Sequence, residues 1–247
     1  MKRTIFPLLF APLLTVACGG QVNQSADDKS IQDEESVMPG DSAYYGLACE
    51  GCTDSILVLL PYTGDNPDTF DILDAFLNRK VMGRPRIGDQ MVVIRDTVRH
   101  TQASLVINLS RLKGTWCYQV MPRLRRRRVV DSVSQPLPSI PDSLLRRWLQ
   151  PREYGFEIRR DNAVVSIGNN RSKANEQQSP VVYPEARRYR EWHIFNGRLI
   201  LSESHRDPNG KHQISRNDTA EIILLRNDSL RLRFSGFEQG YYRRNKK

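Results

Sequence analysis

The feature that most restricts the fold is a series of eight strand-like segments, several of them joined by very short turns. Asn196-Gly197 is a strong two-residue hairpin signal, and Asp161-Asn162 and Asn227-Asp228 are similar. Eight antiparallel strands in successive hairpins predict a closed up-and-down barrel with room for one small ligand or a packed interior. The predicted strands cover residues 114–121, 155–159, 163–167, 189–195, 198–202, 219–225, 229–234 and 240–244.

Residues 43–111 predict a separate small β module upstream of the barrel. The runs 54–60, 86–95 and 103–109 are rich in β-forming residues, and Pro61 ends the first of them. Residues 70–75 fit either a strand or the start of a short helical turn toward Leu77. Four or five short strands without long helices predict a small barrel, OB-like in one version, or a sandwich. The predicted fold class is therefore all-β.

The predicted barrel, residues 112–247, contains an unusually long connection at residues 122–152. Connections of this length are usually functional or disordered. Within it, residues 139–149 have a helix start, and helical spacing places Leu144, Leu145 and Trp148 on one apolar face. The connection also holds the densest basic cluster of the chain, which comprises Arg123, Arg125, Arg126, Arg127 and Arg128.

Gly114-Thr115-Trp116 resembles the Gly-x-Trp signature that opens the first strand of lipocalins and bacterial lipocalin-like domains. The pattern resemblance extends over residues 112–247. It implies that Trp116 plugs the closed end of the barrel and that the 122–152 connection covers the mouth as a lid. Trp148, Leu144 and Leu145 would then face a ligand, and Arg125 to Arg128 would meet an anionic headgroup or partner. The alternative is that the helix packs outside the barrel or against the N-terminal module.

The first residues have the pattern of a secretory signal, residues 1–17, with Lys2 and Arg3 ahead of a short apolar run. Leu14 to Cys18 resembles a bacterial lipobox, which implies a lipid on Cys18. Residues 18–42 are polar and predict a disordered tether. Gly19 resembles the residue that follows the cysteine in outer-membrane lipoproteins, and the acidic run 33–35 is faintly similar to Bacteroidetes surface-export signals. We therefore expect a lipid-anchored outer-membrane protein, periplasmic or surface-exposed.

Three cysteines remain once Cys18 is assigned to lipidation, an odd number for an exported protein. The spacing of Cys49 and Cys52 fits a local disulfide or half of a soft-metal site, and free thiols are a further alternative. Residues 45–56 also resemble the start of NlpE-like envelope lipoproteins, which implies a stress-sensing or metal role for this pair. Cys117, beside Trp116 in a strand, is most simply a buried thiol.

The remaining motifs favour binding over catalysis. The four histidines are scattered, and the sequence has no nucleophile elbow, phosphate-binding glycine loop or dinucleotide fingerprint. We expect no enzyme, cofactor or metal site. Despite the net charge of +9, no nucleic-acid-binding pattern is present, and the arginine cluster fits anionic envelope components or a solvated loop.

The sequence therefore predicts a non-enzymatic binding module for a small apolar or amphipathic ligand. Two alternatives stay open beside it. The first is a protein-interaction or structural role in the envelope, and the second is metal or redox sensing through Cys49 and Cys52.

Overall fold

A computed structural model of the protein describes residues 38–124, 141–168, 181–206 and 212–244. Within these ranges the chain is mostly β-strand with three short helices, as the all-β prediction requires. No helix there is long and apolar enough to cross a membrane. The predicted signal peptide, Cys18, most of the tether and Arg125–Arg128 lie outside the described residues.

The N-terminal module is one six-stranded sheet with the strand order β3-β2-β1-β5-β6-β4. A parallel bridge between Asp71 and Gln102 brings β3 to the start of β6. The ring β1-β2-β3-β6-β5 that results, with a helix after its third strand, matches the OB-like alternative. The elements are β1 (Ala43–Ala48), β2 (Ile56–Pro61), β3 (Asp68–Asp71), α1 (Leu73–Leu77), β4 (Val81–Met82), β5 (Gln90–Arg95), β6 (Ala103–Asn108) and α2 (Leu109–Leu112).

The second module is an eight-stranded antiparallel barrel, and the predicted strand count and up-and-down order are confirmed. Its strand order is β10-β9-β7-β16-β15-β14-β13-β12, and a two-stranded sheet, β11-β8, accompanies it. The elements are β7 (Gly114–Val120), β8 (Arg123–Leu124), α3 (Asp142–Trp148), β9 (Arg152–Ile158), β10 (Val164–Ile167), β11 (Val181–Val182), β12 (Glu191–Phe195), β13 (Arg198–Arg206), β14 (His212–Leu225), β15 (Ser229–Phe234) and β16 (Phe237–Arg243).

A short seam between β10 and β12 brings the two ends of this sheet together. Ala163 and Glu191 form a single antiparallel bridge. Beside it, the Trp192 amide donates to the Asn162 carbonyl at 2.8 Å, and the Val164 amide donates to the Arg190 carbonyl at 2.7 Å. The barrel is therefore nearly closed. The seam has one residue pair, the β16–β7 ladder has two, and the other ladders have four or more.

Turn chemistry explains why the β12–β13 hairpin forms where the sequence places it. Asn196 and Gly197 both have positive φ, 48° and 74°, as a type I′ turn requires. The next two strands, β13 and β14, are longer than predicted. Residues 213–217 are exposed, and all of them except Ile214 are polar, so this stretch lacks the apolar alternation by which a half-buried strand is recognised.

One end of the barrel is packed tightly beneath α2. Trp116 is fully buried, and its Nε1 donates to the Leu112 carbonyl at 2.7 Å. The Arg243 guanidinium lies 4.2 Å from the centre of the Trp116 ring and donates to the Lys113 carbonyl at 3.0 Å and to the Arg111 carbonyl. Trp116 thus fills the α2 end of the barrel, as the resemblance implies.

The two modules share a hydrophobic core. Val92 and Ile107 of the N-terminal sheet belong to the same buried cluster as Trp192 and Leu199 of the barrel. A Cβ added at Gly197 would lie 2.6 Å from a methyl carbon of Leu105, which shows how closely the β12–β13 turn meets β6. A second, smaller cluster lies wholly within the N-terminal sheet. The predicted boundary at residue 112 therefore lies between two sheets that share one hydrophobic core.

Candidate functional site

A cavity of about 150 Å³ lies inside the barrel, away from the packed α2 end. Its aromatic lining comes mainly from β7, β9, β15 and β16, while Ile167 of β10 and residues 185–187 complete the wall. Aromatic side chains form most of the lining, but their hydroxyls together with Glu185, Arg187 and Gln239 make its accessible surface about as polar as it is apolar. The aromatic side chains are Tyr118, Tyr154, Phe156, Tyr189, Phe234, Phe237 and Tyr241.

The aromatic rings pack against one another in edge-on or tilted geometry. The rings of Tyr118 and Tyr241 have their centres 5.4 Å apart at 88°, and those of Phe156 and Tyr241 lie 5.1 Å apart at 56°. Tyr118 and Tyr154 are similarly arranged at 6.2 Å and 73°. Because such pairs are mutually favourable, the rings hold one another in place around the cavity.

Two of the tyrosine hydroxyls at the cavity are bonded within the protein, and two are not. The Tyr154 hydroxyl donates to the Pro184 carbonyl at 2.7 Å. In the part of the chain that the structure describes, the hydroxyls of Tyr118 and Tyr241 have no hydrogen-bond partner. Burial raises the pKa of both groups, and for Tyr241 the nearby Tyr118 raises the pKa further. Both phenols therefore stay protonated at neutral pH and can donate to a ligand.

A polar cluster centred on Asp218 of β14 lies beside the cavity. The Tyr189 hydroxyl donates to Asp218 Oδ2 at 2.6 Å, Arg187 also donates to Oδ2, and Arg216 Nε lies 3.2 Å from Oδ1. Burial alone would raise the pKa of Asp218, but the hydrogen bonds from Tyr189 and Arg187 outweigh it and lower that pKa. The carboxylate is therefore ionised and fully engaged, and it holds Tyr189 and Arg187 against the cavity.

The cover of the cavity is the segment 183–190. Residues 189–190 belong to the predicted strand 189–195, and the sequence did not point to residues 183–188. Glu185, Ala186 and Arg187 of this segment line the cavity. The segment is held at one end by the Tyr183 hydroxyl, which donates to the Gln150 carbonyl at 2.7 Å, and at the other by the Tyr189 amide, which donates to Ser166 Oγ at 2.7 Å. It has no strand or helix periodicity, so only the folded structure places it over the barrel.

The predicted lid is described only in part. The helix within the 122–152 connection is confirmed as α3, with Leu144 39% exposed and Trp148 partly buried. Neither side chain is among the described residues that line the aromatic cavity. The side chain of Leu145 and the cluster Arg125–Arg128 lie outside the described part of the molecule. The lid stays a prediction.

Cys49 and Cys52 are half-buried and are not bonded to each other in this structure. Cys52 Sγ lies 3.1 Å from the Cys49 carbonyl oxygen and accepts from the Val58 amide at 3.4 Å. Among the described residues, no three His, Cys, Asp or Glu side chains are grouped so that they could hold a metal ion. The disulfide stays a prediction. Cys117 is fully buried, as predicted, and burial raises its thiol pKa.

The sequence does not mark the cavity residues as a site, because aromatic residues in strands most simply indicate core. Their spacing was nevertheless a usable signal. Trp116 and Tyr118 on β7, and Tyr154 and Phe156 on β9, stand two residues apart, so each pair projects from one face of its strand. Aromatic residues on the same face of neighbouring strands predict an aromatic interior, but the spacing alone does not tell a filled interior from a cavity.

Comparison with known proteins adds one structural likeness. No family model matches the sequence, and no curated protein is similar to it. The chain is similar to a crystal structure described as a lipocalin-like protein from Bacteroides thetaiotaomicron, at 19% identity and a TM-score of 0.27. That match covers 53% of this chain and 95% of the other. A likeness at this level carries no argument, and the eight-stranded up-and-down barrel rests on the strand order described above.

Proposed function

We propose that the barrel is a non-enzymatic binding module for a small amphipathic molecule that combines one apolar ring with a hydrogen-bond acceptor. The observation that carries this proposal is the aromatic cavity with two unbonded tyrosine hydroxyls, those of Tyr118 and Tyr241. Neither hydroxyl is sealed from solvent, so both are accessible donors in the cavity. A ligand acceptor, such as a carboxylate or carbonyl oxygen, can accept from them.

The size of the cavity narrows the ligand class. Its volume of about 150 Å³ is below the roughly 300 Å³ at which pockets for drug-sized ligands begin. An apolar cavity of about this volume can hold a single benzene ring. A whole fatty-acid chain exceeds this volume, and we therefore narrow the amphipathic ligand expected from the sequence to a short or single-ring molecule.

The charge at the mouth favours an acceptor on the ligand. Arg187 lines the cavity with 44% of its side chain exposed, and its pairing with Asp218 raises its pKa, so it stays charged. Arg187 and the phenol hydroxyls of Tyr118 and Tyr241 are hydrogen-bond donors, and they outnumber the one acidic side chain of the lining, Glu185. A small aromatic carboxylate satisfies both the apolar wall and these donors.

Calorimetric titration with benzoate and with palmitate tests the proposal. We expect benzoate to bind the parent protein and palmitate to bind weakly or not at all. The double variant Tyr118→Phe, Tyr241→Phe should weaken benzoate binding by about tenfold, since two hydrogen bonds to a charged group are lost. Tyr44→Phe is the matched control, because it removes a phenol hydroxyl from the N-terminal sheet, far from the cavity.

The opposite ranking of the ligands would contradict the proposal. Tight palmitate binding with no benzoate binding means that the barrel opens well beyond the cavity described here. Equal benzoate affinity in the parent, the double variant and Tyr44→Phe means that the ligand does not use the two hydroxyls.

We further propose that this module is tethered to the outer membrane through a lipid on Cys18. The support is the signal-like residues 1–17, the lipobox-like residues 14–18 and the polar stretch that follows. Cys18→Ser should leave uncleaved or soluble protein. If that variant still fractionates with membranes and is released by detergent, the lipid anchor is wrong.

The small cavity also favours one alternative, a protein-interaction or structural role in the envelope. Most of the barrel interior is filled by the protein's own side chains, including Trp116, Trp192, Leu201 and Leu232. Under this alternative no small aromatic carboxylate binds, and the cavity is merely a packing defect. The benzoate titration therefore separates the two functions.

A further inference from the structure

A groove separates the edge strand β4 of the N-terminal sheet from strand β14 of the barrel. Its main hollow has a volume of about 850 Å³. It continues into a second hollow of about 630 Å³, since Gly83, Arg84, Leu225 and Arg226 line both. The two hollows form one elongated depression, which we call the inter-module groove. It is distinct from the aromatic cavity, because none of its described lining residues contributes to that cavity.

Basic side chains line both walls of the inter-module groove. The barrel wall contributes Arg226 and Arg231, and its acidic side chains are Glu221 and Asp228. Glu221 is already engaged, since Arg233 Nη1 lies 3.2 Å from its carboxylate. The groove is therefore strongly positive. The basic residues of the N-terminal wall are Arg79, Lys80, Arg84, Arg86 and Arg111.

Most of these cations are not neutralised by the protein. Arg84 pairs with Asp54 at 2.7 Å, and Arg111 donates to Asn227. The other five have side chains with no hydrogen bond or ion pair anywhere in the described ranges. Arginines without partners in a concave site provide a field and donors for carboxylate or phosphate groups. These five residues are Arg79, Lys80, Arg86, Arg226 and Arg231.

The backbone at the groove is irregular on both walls. Arg79, just after α1, has φ 57°; within the described ranges the other non-glycine residues with positive φ are Asn162 and Asn196. Glycine or asparagine is the preferred residue at such a position. On the opposite wall, the β14–β15 register shifts between Ile222 and Leu224, which leaves Ile223 as the extra residue of a bulge. At Arg79 the cause is the cap of α1, because the Arg79 and Lys80 amides donate to the Phe76 and Ala75 carbonyls in a Schellman motif. This cap fixes the basic pair Arg79-Lys80 at the end of the helix.

The groove is also partly apolar, which distinguishes it from a purely electrostatic patch. Phe76 is 37% exposed, and Val81, Ile223 and Leu224 are partly exposed along its length. Ile87, next to Arg86, is 73% exposed. A ligand that fills the groove therefore needs apolar groups between its negative charges.

We propose that the inter-module groove binds an extended, acidic segment of a partner protein that alternates acidic and apolar side chains. The acidic groups pair with Arg79, Arg226 and Arg231, and the apolar groups pack against Phe76 and Ile223. A flat bilayer cannot reach cations on the walls of a cleft. A single small anion cannot span cations spread over two modules. An acidic peptide segment fits both the charge and the apolar surface.

Fluorescence anisotropy with a labelled peptide of alternating Glu and Leu residues tests the proposal on the full chain. We expect saturable binding that weakens as salt rises. The triple variant Arg79→Glu, Arg226→Glu, Arg231→Glu should weaken binding by about tenfold or more. The matched control reverses the same number of exposed arginines away from the groove: Arg146→Glu, Arg147→Glu and Arg160→Glu.

A single substitution separates binding from folding, whatever the stability of the triple variant. Arg79→Gly relieves the positive-φ strain, so it should raise Tm by about 2–4 °C. It should at the same time weaken peptide binding by about threefold, since one charge-assisted contact is lost. An unchanged affinity in Arg79→Gly overturns the proposal.

Three further comparisons decide the class of partner. If the control triple variant weakens peptide binding equally, binding is non-specific attraction to a basic protein. That result would contradict a binding site in the inter-module groove. An oligo-Glu peptide of equal charge that binds as tightly as the Glu–Leu peptide overturns the apolar part of the proposal. Phosphatidylglycerol vesicles are the last competitor. If they displace the peptide and bind more tightly than the peptide does, the partner is a membrane and the proposed protein partner is wrong.

Discussion

The two ends of the barrel interior both rely on large aromatic side chains, yet they differ in how far their polar groups are closed off from solvent. At the α2 end, the Trp116 indole donates to Leu112, and Arg243 lies over the Trp116 ring and donates to two backbone carbonyls, although its buried Nε has no partner among the described residues. At the cavity end, the hydroxyls of Tyr118 and Tyr241 have no partner in the described structure and are not sealed from solvent. The contrast shows that the α2 end is closed and tightly packed, whereas the cavity end presents accessible hydrogen-bond donors.

The largest expected effect is at the α2 end, with Trp116→Ala. The change removes a fully buried indole and its hydrogen bond, so the free energy of unfolding should fall by about 3–5 kcal/mol. Chemical denaturation measures it. Trp148→Ala, on the short surface helix α3, is the comparison and should cost far less. Similar losses in the two variants would show that the α2 end is not specially stabilising.

Arg243→Met should have the next largest effect. The methionine keeps apolar volume beside Trp116 but leaves the carbonyls of Arg111 and Lys113 without their donor. We expect a loss of about 2 kcal/mol in the free energy of unfolding, measured by denaturation. Arg244→Met is the control, because that exposed arginine makes only a surface ion pair with Glu153, worth less than about 1 kcal/mol. A fully stable Arg243→Met variant would contradict the role of the guanidinium.

The third prediction tests the cavity end through an Asp218 variant and the pH dependence of its stability. The pKa of Asp218 is lowered in the folded protein, so the folded state binds fewer protons there than the unfolded state. The stabilisation is therefore present above the unfolded pKa of about 3.9 and is lost as pH falls through the folded pKa. Asp218→Asn should reduce the free energy of unfolding by about 1–2 kcal/mol at neutral pH.

The pH dependence supplies the check on this third prediction. Denaturation of Asp218→Asn should show a shallower loss of stability between neutral and acidic pH than the parent shows. Asp54→Asn, in an exposed ion pair with Arg84, should follow the parent curve closely. If both variants follow the parent, Asp218 does not hold the cavity wall by its charge.

The smallest expected effect is that of Tyr118→Phe or Tyr241→Phe on stability. Because each removes a hydroxyl without a protein partner, the free energy of unfolding should change by no more than about 0.5 kcal/mol. Tyr154→Phe is the control, since it breaks the bond to the Pro184 carbonyl and should cost about 1 kcal/mol. Losses of equal size in all three variants would mean that the first two hydroxyls are bonded after all.

Local chemistry explains how much of the fold was predictable. The Asn196-Gly197 turn and the alternation of Ser229–Phe234 are properties of neighbouring residues, and the eight strands inferred from such signals are all present. The extent of β13 and β14 was missed because their exposed residues carry no apolar period. The union of the two modules in one core was also missed, since contacts such as Leu105 with Gly197 join residues far apart in sequence.

The cavity was less predictable than the barrel for the same reason. Tyr118 and Tyr241 lie at opposite ends of the barrel sequence, and only the pairing of β7 with β16 brings them together. The segment 183–190 that covers them is held by contacts such as Tyr154 with Pro184, and no local pattern marks these contacts. The predicted lid drew attention to the long 122–152 connection because length and composition are visible in a sequence.

The seam between β10 and β12 is the line along which the barrel wall opens most easily. Ladders such as β7–β9 are closed by seven residue pairs, whereas the seam has the single pair Ala163–Glu191. Opening free energy scales with what must be broken, so fluctuations that change the circumference begin at this line. A few bonds around residues 162–164 and 190–192 therefore hold the two ends of the sheet together.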